Sequence, residues 1–388
     1  MNIAWAGHKG CGPDTGEKAR AFLHQFLPPG SFEMTVEAPD IILFMSGGSE
    51  RMAISLAQPG QPVLLLAIRG NNAYAAATEV MAWMNANNRI ALLSDVQDAF
   101  ESGLVDQWRQ TVSTWKKLEG QKAALIGAVS EWLVASDVPA EQLRKVMGVE
   151  LLTIPWSNLS DFREKRSDDS LMLRFQGHTT EGMKDAARVL TLLRQEVEKQ
   201  NFSAIAVECF SLVQKNKVTA CLALAQLNTE GTVAACEGDL ASMAGMMLIR
   251  EACGRVPWMA NTTRLSGNSL ILSHCTAAFN LVENIKLATH YETDCSLAVK
   301  GMVTASEVTL FRFSDSLEKA MIITGKVTGH PAYPDACRTQ VELEISPEAA
   351  GILKNRPLGN HLLMIPGRWA ELLEMVCGYK GITLIFPR

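Results

Sequence analysis

Residues 232–254 read TVAACEGDLASMAGMMLIREACG, and this stretch sets the fold class. Residues 232–236 are apolar and strand-length, the pattern of a strand buried on both faces. The chain then meets Glu237-Gly238-Asp239. Asp239 suits the N-cap of a helix over 240–253, because its carboxylate can accept from the N–H groups that open a helix. Gly254 is a good C′ residue, free to take the left-handed backbone that ends helices. The helix is apolar all round, so it is expected to be buried. A buried strand, a polar turn and a buried helix make the repeating unit of a parallel α/β sheet.

The same alternation runs upstream. Residues 2–6, 40–45, 62–68 and 89–93 read as strands. Asp14 with Glu17 predicts a capping box, followed by the apolar stripe Ala19, Phe22, Leu23, Phe26 and Leu27. A helix is expected over 73–85. A second α/β series begins after residue 117: strand 123–126, a short helix near Trp132, helix 139–147, strand 150–154, helix 180–200, strand 202–207 and helix 219–227. Residues 257–260 and 269–273 read as two further strands of that series. From about residue 278 short β-like runs at 308–313, 320–328 and 339–345 alternate with turn residues, which predicts an antiparallel sheet or small barrel. The expectation is an α/β protein with two doubly wound, flavodoxin- or Rossmann-like domains at 1–117 and 118–277, the second carrying the site, and a C-terminal antiparallel β-rich, barrel-like domain at 278–388.

Composition narrows the function classes. A net charge of −5 with no Lys/Arg-rich run leaves no electrostatic footprint for nucleic acid. The apolar runs are strand-length and too short to cross a bilayer. The N-terminus enters a strand with no basic n-region or long apolar h-region, so a cytoplasmic location is expected. Nine cysteines form no CxxC pair, and several sit in apolar segments, which reads as free buried thiols in a reducing compartment. Walker, GxGxxG, GxSxG and HExxH motifs are absent.

Doubly wound sheets bind ligands beyond the carboxyl ends of their strands. Glu237 stands at such a place, Asn261 at the end of the next strand and His274 at the end of the one after. Three consecutive strands ending in metal-competent residues point to one centre, although Glu237 and Asp239 also read as organisers of a turn. His361 offers another nitrogen from the β-rich part. Carboxylate, amide and imidazole together suit Mn²⁺, with Mg²⁺ or Fe²⁺ next, better than structural zinc. Ser46, Gly47, Gly48 and Ser49 follow a strand and precede a helix, either as a backbone cradle for an anionic or hydroxylated ligand or as a plain tight turn. Glu208 and Cys209 end another strand, and Lys9, Arg69 and Arg264 are candidate anion contacts or solvated charges. Histidines 24, 178, 290 and 330 show no ligand-like spacing.

These segments resemble a known family. Ala235-Cys236-Glu237-Gly238-Asp239 is similar to the CEGD motif of the L-fucose isomerase-like proteins, kin of L-fucose and L-arabinose isomerases. In chain order, Ser46 to Glu50 resembles a TGGTE-like loop, and Ile126-Gly127 through Ser136 the opening of the second domain. Ser273-His274-Cys275 resembles a WHC segment, and Val308 to Arg312 with Gly325 to Val327 the barrel strands. Gly359-Asn360-His361 resembles a GNH segment. The resemblance implies a homo-oligomeric enzyme that interconverts aldoses and ketoses through a cis-enediol at a Mn²⁺ centre. Carried over, Glu237, position 261 and His361 are the metal ligands, with His274 as a further ligand. Glu237 and Asn261 fall at the catalytic positions. Ser46 to Ser49, Glu208 and Cys275 are candidates for contact with a sugar or sugar derivative. The family pattern has a carboxylate where Asn261 stands, and an amide brings neither charge nor a proton acceptor. Related enediolate chemistry, such as epimerisation or carbon–carbon bond transfer, or a non-catalytic sugar-binding relative, are the alternatives.

Overall fold

The computed structural model describes residues 1–12 and 14–386; residues 387–388 of the expected C-terminal domain lie outside the described residues. The protein is mixed α/β; among the described residues it has two parallel sheets, a largely antiparallel, barrel-like sheet and a two-stranded antiparallel ribbon. The chain forms two compact units: Met1–Ser113 with Gly378–Gly381, and the remainder.

The first unit holds β1 (Asn2–Ala6), α1 (Thr15–Leu23), β2 (Glu33–Met34), β3 (Ile41–Phe44), α2 (Glu50–Leu56), β4 (Val63–Ala67), α3 (Ala73–Ala86), β5 (Ala91–Asp95) and α4 (Val96–Glu101); α5 (Leu104–Leu118) runs across its end. Its sheet is parallel, in the order β2-β1-β3-β4-β5. Every residue of β3 and β4 is buried, as central strands covered on both faces require. Ile42, Phe44 and Leu65 pack with Ala76, Val80 and Met84 of α3. The predicted capping box does not form. Asp14 makes no side-chain cap bond and instead pairs with Lys18 at 2.6 Å.

The second unit opens with β6 (Lys122–Ile126), α6 (Ala140–Met147), β7 (Glu150–Ile154), α7 (Asp169–Arg174), α8 (Glu181–Gln200), β8 (Ala204–Val207), α9 (Phe210–Asn216), α10 (Cys221–Thr229), β9 (Val233–Cys236) and α11 (Leu240–Cys253). Its parallel sheet runs β7-β6-β8-β9. The expected helix near Trp132 is a pair of turns, closed by Leu133 N–H to Ser130 O and Ser136 N–H to Leu133 O.

The remaining strands are antiparallel. They are β10 (Trp258–Ser266), β11 (Ser269–His274), β12 (Val282–Ala288), β13 (Ala298–Val303), β14 (Glu307–Phe313), β15 (Lys319–Gly329) and β16 (Thr339–Ile345), then α12 (Pro347–Asn355), β17 (His361–Pro366), α13 (Ala370–Tyr379) and β18 (Thr383–Ile385). Six of them run β14-β17-β10-β11-β16-β15, and β15 pairs back to β14, so the sheet closes; β18 adds parallel to β15, and β12 and β13 form a separate antiparallel pair. A barrel of this kind removes the open edges of a sheet. The expectation that residues 257–260 and 269–273 extend the parallel series is corrected here: β10 and β11 form a hairpin inside the barrel. Only Gly267 and Asn268 separate them, whereas parallel neighbours need a crossover of a dozen or more residues. Asn261 therefore sits within β10, not at its end. Among the described residues no helix is long and apolar enough to cross a membrane.

The tightest point of the second unit is the turn from β9 to α11. Glu237 and Gly238 both have left-handed backbones, φ 59° and 69°. A Cβ on Gly238 would lie 2.3 Å from the carbonyl oxygen of Ala128. Backbone cannot swing aside as a side-chain tip can, so the clash adds to the left-handed penalty of about 1–2 kcal/mol. Gly238→Ala is expected to destabilise the protein by about 3 kcal/mol, read as a lowered denaturant midpoint. A variant as stable as the parent would show that the turn tolerates a Cβ.

Candidate functional site

The turn at Glu237 is held from three sides. Its carbonyl accepts from Ser130 N–H at 3.1 Å, Gly238 N–H donates to Val207 O at 3.0 Å, and Asp239 N–H donates to Cys236 O at 3.1 Å. These bonds offset the left-handed strain at a non-glycine residue and fix where the carboxylate points. Asp239 is fully buried. Its Oδ1 accepts from Ser242 N–H at 2.6 Å, which caps α11. Its Oδ2 accepts from Arg312 on β14 at 2.9 Å and from His361 Nδ1 on β17 at 2.8 Å. Arg312 is also fully buried and donates to Ser242 Oγ, Ser136 Oγ and the carbonyl of Ala135. Gly359 makes room for this guanidinium, since a Cβ there would lie 2.6 Å from it.

The Asp239 bond places a proton on His361 Nδ1 and leaves Nε2 facing Glu237 Oε1 at 3.5 Å. His274 Nε2 faces the same oxygen at 3.7 Å. Both contacts are longer than hydrogen bonds, and both Nε2 atoms are buried without a hydrogen-bond partner. Buried imidazole nitrogens left unsatisfied around one carboxylate oxygen are what a cation-binding set looks like. The other Glu237 oxygen accepts from Trp132 Nε1 at 2.7 Å, and Trp132 is half exposed, so this side opens to solvent.

Electrostatics follow from the contacts. Burial works to raise the Glu237 carboxyl, but His274 and His361 outweigh it and hold it far below the ordinary range. Burial is likewise overcome at Asp239, chiefly by the Arg312 charge. At His361 burial disfavours charge, yet the Asp239 and Glu237 carboxylates push its pKa up to about 9. A cation entering here would therefore displace a proton from His361 Nε2.

The two histidines are not equivalent. His274 Nδ1 accepts from Thr276 N–H at 3.1 Å, so its ring proton sits on Nε2. His361 Nε2 can offer a lone pair; His274 Nε2 offers a hydrogen. The residues present thus fit a cation held by Glu237 Oε1 and His361 Nε2, with His274 as a neighbouring donor.

Asn261 is the cross-strand neighbour of His361 and of Ser273, and so shares a face with His361. Its amide oxygen is already engaged by Asn360 Nδ2 at 2.5 Å. Glu208 is spent on α9: its carboxylate accepts from the Ser211 N–H at 2.8 Å and from the Ser211 hydroxyl. Cys275 is buried beside Cys221 and Cys337. All nine cysteines are free thiols, and Cys11 and Cys295 alone are only half-buried.

Ser46, Gly47, Gly48 and Ser49 lie in the first unit, at the β1/β3 switch point of its sheet. Ser46, Gly47 and Gly48 line an open cleft of about 880 Å³ with His8, Glu50, Asn71, Asn72 and Glu79, whereas Ser49 is buried outside its lining. The polar groups with internal partners here fit the tight-turn reading. Gly47 N–H donates to Asn71 O, Gly48 N–H to the Glu50 carboxylate, and buried Ser49 bonds to Ser46 O. The cleft lining contains carboxylates and amides and neither Lys nor Arg. Arg69 is paired with Asp95 and Asp98.

Sequence reading missed Trp132, Arg312 and the second role of Asp239, because each acts across more than seventy residues of chain. It also set His290 aside, whereas the structure brings His290 beside Cys275 and Glu292.

No protein-family model matches the chain. The chain is similar to the sulfoquinovose isomerases of Priestia aryabhattai and Priestia megaterium, 25% identical over 175 residues in each case. That match covers 43% of this chain and 39% of each relative. The chain thus shares a low-identity segment with sugar isomerases.

Removing one member of a buried ion pair strands the other, at a cost of about 3–5 kcal/mol. Arg312→Met is expected to lose about that much stability in urea unfolding. Because the folded Asp239 pKa is depressed, its contribution is complete above the ordinary value of 3.8 and is lost as pH falls through the folded value. Asp239→Asn should therefore show a shallower loss of stability below that pH than the parent. Equal slopes would mean that the Asp239 carboxyl is not shifted by folding.

Proposed function

We propose that the chain is a metal-dependent aldose–ketose isomerase working through an enediol. One observation carries the reading: the buried, unpartnered Nε2 atoms of His361 and His274 converge on one oxygen of Glu237. The similarity to sulfoquinovose isomerases supports the reaction class and makes sulfoquinovose the first substrate to try. Plain, deoxy and phosphorylated sugars follow. Mn²⁺ is the first choice of cation, and a homo-oligomer in the cytoplasm the expected setting.

A divalent cation at Glu237 and His361 supplies Lewis-acid polarisation of the sugar's carbonyl and hydroxyl oxygens. The Glu237 carboxylate, held ionised by the neighbouring histidines, would serve as a ligand and can accept the proton taken from the sugar carbon. Asp239 holds the His361 ring so that Nε2 faces inward. His274 carries its proton on the atom that faces the site, and is the group we assign to proton donation toward the enediolate oxygen. Trp132 orients the Glu237 carboxylate from the open side. Asn261 positions by hydrogen bond and takes no proton.

A second reading has one observation in its favour. The Asn261 amide oxygen is engaged by Asn360, so a non-catalytic sugar-binding relative is the alternative.

Glu237→Gln is expected to lose bound Mn²⁺ and turnover while keeping its melting temperature. His274→Asn should keep Mn²⁺ and lower kcat by about 10²–10⁴-fold. Loss of metal from His274→Asn would make His274 a ligand. A parent protein that binds sugar but neither retains Mn²⁺ nor turns sugar over would establish the non-catalytic reading.

A further inference from the structure

A second cluster lies in the same unit. Cys275, His290 and Glu292 place one ligand atom each within 4.8 Å of one another. His290 Nε2 is 3.1 Å from Glu292 Oε2. Cys337 Sγ lies 3.9 Å from the other Glu292 oxygen and packs in the buried cluster that contains Cys275. The sulfur, nitrogen and oxygen donors come from three places in the chain: the end of β11, the β12–β13 connection and the loop before β16. Nothing in the fold requires two thiols, an imidazole and a carboxylate to meet there.

We infer that Cys275, His290 and Glu292, with Cys337 as fourth donor, form a binding site for a borderline-soft divalent cation of the Zn²⁺ or Co²⁺ class. The donor set decides the class. Thiolate sulfur selects such ions over Mn²⁺ or Mg²⁺, which prefer oxygen. Tetrahedral zinc, at ~2.3 Å from sulfur and ~2.0 Å from nitrogen, holds its ligands about 3.5 Å apart. The cluster would need to tighten by about 1 Å around the ion.

Supporting contacts are in place. His290 Nδ1 is 3.0 Å from Thr293 Oγ1, which holds the ring with Nε2 turned toward Glu292. Backbone N–H groups of Tyr291 and Arg338 face the Cys275 sulfur, as N–H groups do around bound thiolates. Cys275 and Cys337 are buried, and the Glu292 side chain is 41% exposed, so an ion enters past Glu292. Binding converts each ligating thiol to thiolate and releases its proton to solvent. Cys337 also lies 3.9 Å from Asn261 Nδ2, so the site adjoins the Glu237 cluster without sharing a ligand with it.

The inference stands apart from the proposed isomerase chemistry, and Co²⁺ titration of the full chain separates the two. Cobalt bound to thiolate gives a sulfur-to-cobalt charge-transfer band, which a carboxylate–imidazole centre cannot give. The expected result is such a band at about one equivalent in the parent and in Glu237→Gln, and its loss in Cys275→Ser. His290→Gln and Glu292→Gln should weaken the band's titration by about 10-fold or more. Glu292→Gln guards against misfolding, since its side chain is partly exposed. No band in the parent, or an unchanged titration in a folded Glu292→Gln, would overturn the site. If Glu237→Gln lost no cobalt equivalent while the band persisted, the Glu237 centre would fail and this one would stand.

Discussion

The buried carboxylate of Asp239 is the constraint on which the second unit depends. It caps α11 through Ser242, neutralises Arg312 from β14 and fixes the His361 ring from β17. One side chain thus joins the last strand–helix step of the parallel sheet to two strands of the barrel. A charge pair with no solvent exposure is expensive unless each remaining lone pair and proton finds a partner. Here Ser136, Ser242 and the Ala135 carbonyl take up protons of the two terminal guanidinium nitrogens beside those given to Asp239, while the buried Nε–H has no partner. The turn at residues 130–136 is recruited by the same requirement, which explains why the chain around Trp132 folds as turns and not as a helix.

From this anchor the site chemistry follows in order. Asp239 selects the His361 tautomer, and the turn at Gly238 delivers Glu237 with a left-handed backbone that few non-glycine residues adopt. Thr276 selects the opposite tautomer at His274. Two histidines facing one carboxylate oxygen are thereby given different jobs by their outer hydrogen bonds, one to offer a lone pair and one a proton. Neither job can be read from the identity of the residue alone.

Much of the fold was legible in the sequence because its signals are local. The apolar runs of β3, β4, β8 and β9, the Asp239 cap and the Gly254 stop are each properties of a few adjacent residues. The barrel's existence was legible from its short alternating runs, but the membership of β10 and β11 was not, since strand length says nothing about partner. Glu237, His274 and His361 were named by motif and strand-end logic, and the structure brings these three together. The premise about strand ends was partly wrong: Asn261 lies mid-strand, and the barrel, not a third parallel step, brings His274 and His361 in. Arg312 and Trp132 were invisible because a basic or aromatic residue in a strand or loop carries no mark of what it meets a hundred residues away. His290 was dismissed on spacing, a criterion that fails for ligands gathered by tertiary contact.

The amide at position 261 changes the charge balance as well as the proton inventory. Asp239 and Arg312 cancel each other in the buried core. Under the proposed reading, Glu237 is then the only uncompensated carboxylate left to face a divalent cation, with His361 neutral once it gives up its proton. The centre would keep a net charge near +1, where a second carboxylate in place of Asn261 would bring it to zero. In a site whose inner wall excludes water, a residual positive charge is felt strongly. It weakens the hold on the cation, which has one anionic ligand fewer, and it favours whatever develops negative charge nearby, such as an enediolate oxygen. Compared with a carboxylate at the same position, the amide thus offers no acid–base partner but would, under the proposed reading, leave a stronger electrostatic pull on an enediolate. Proton donation to that oxygen, in turn, falls to His274, whose Nε2 hydrogen already faces the place where that charge would form.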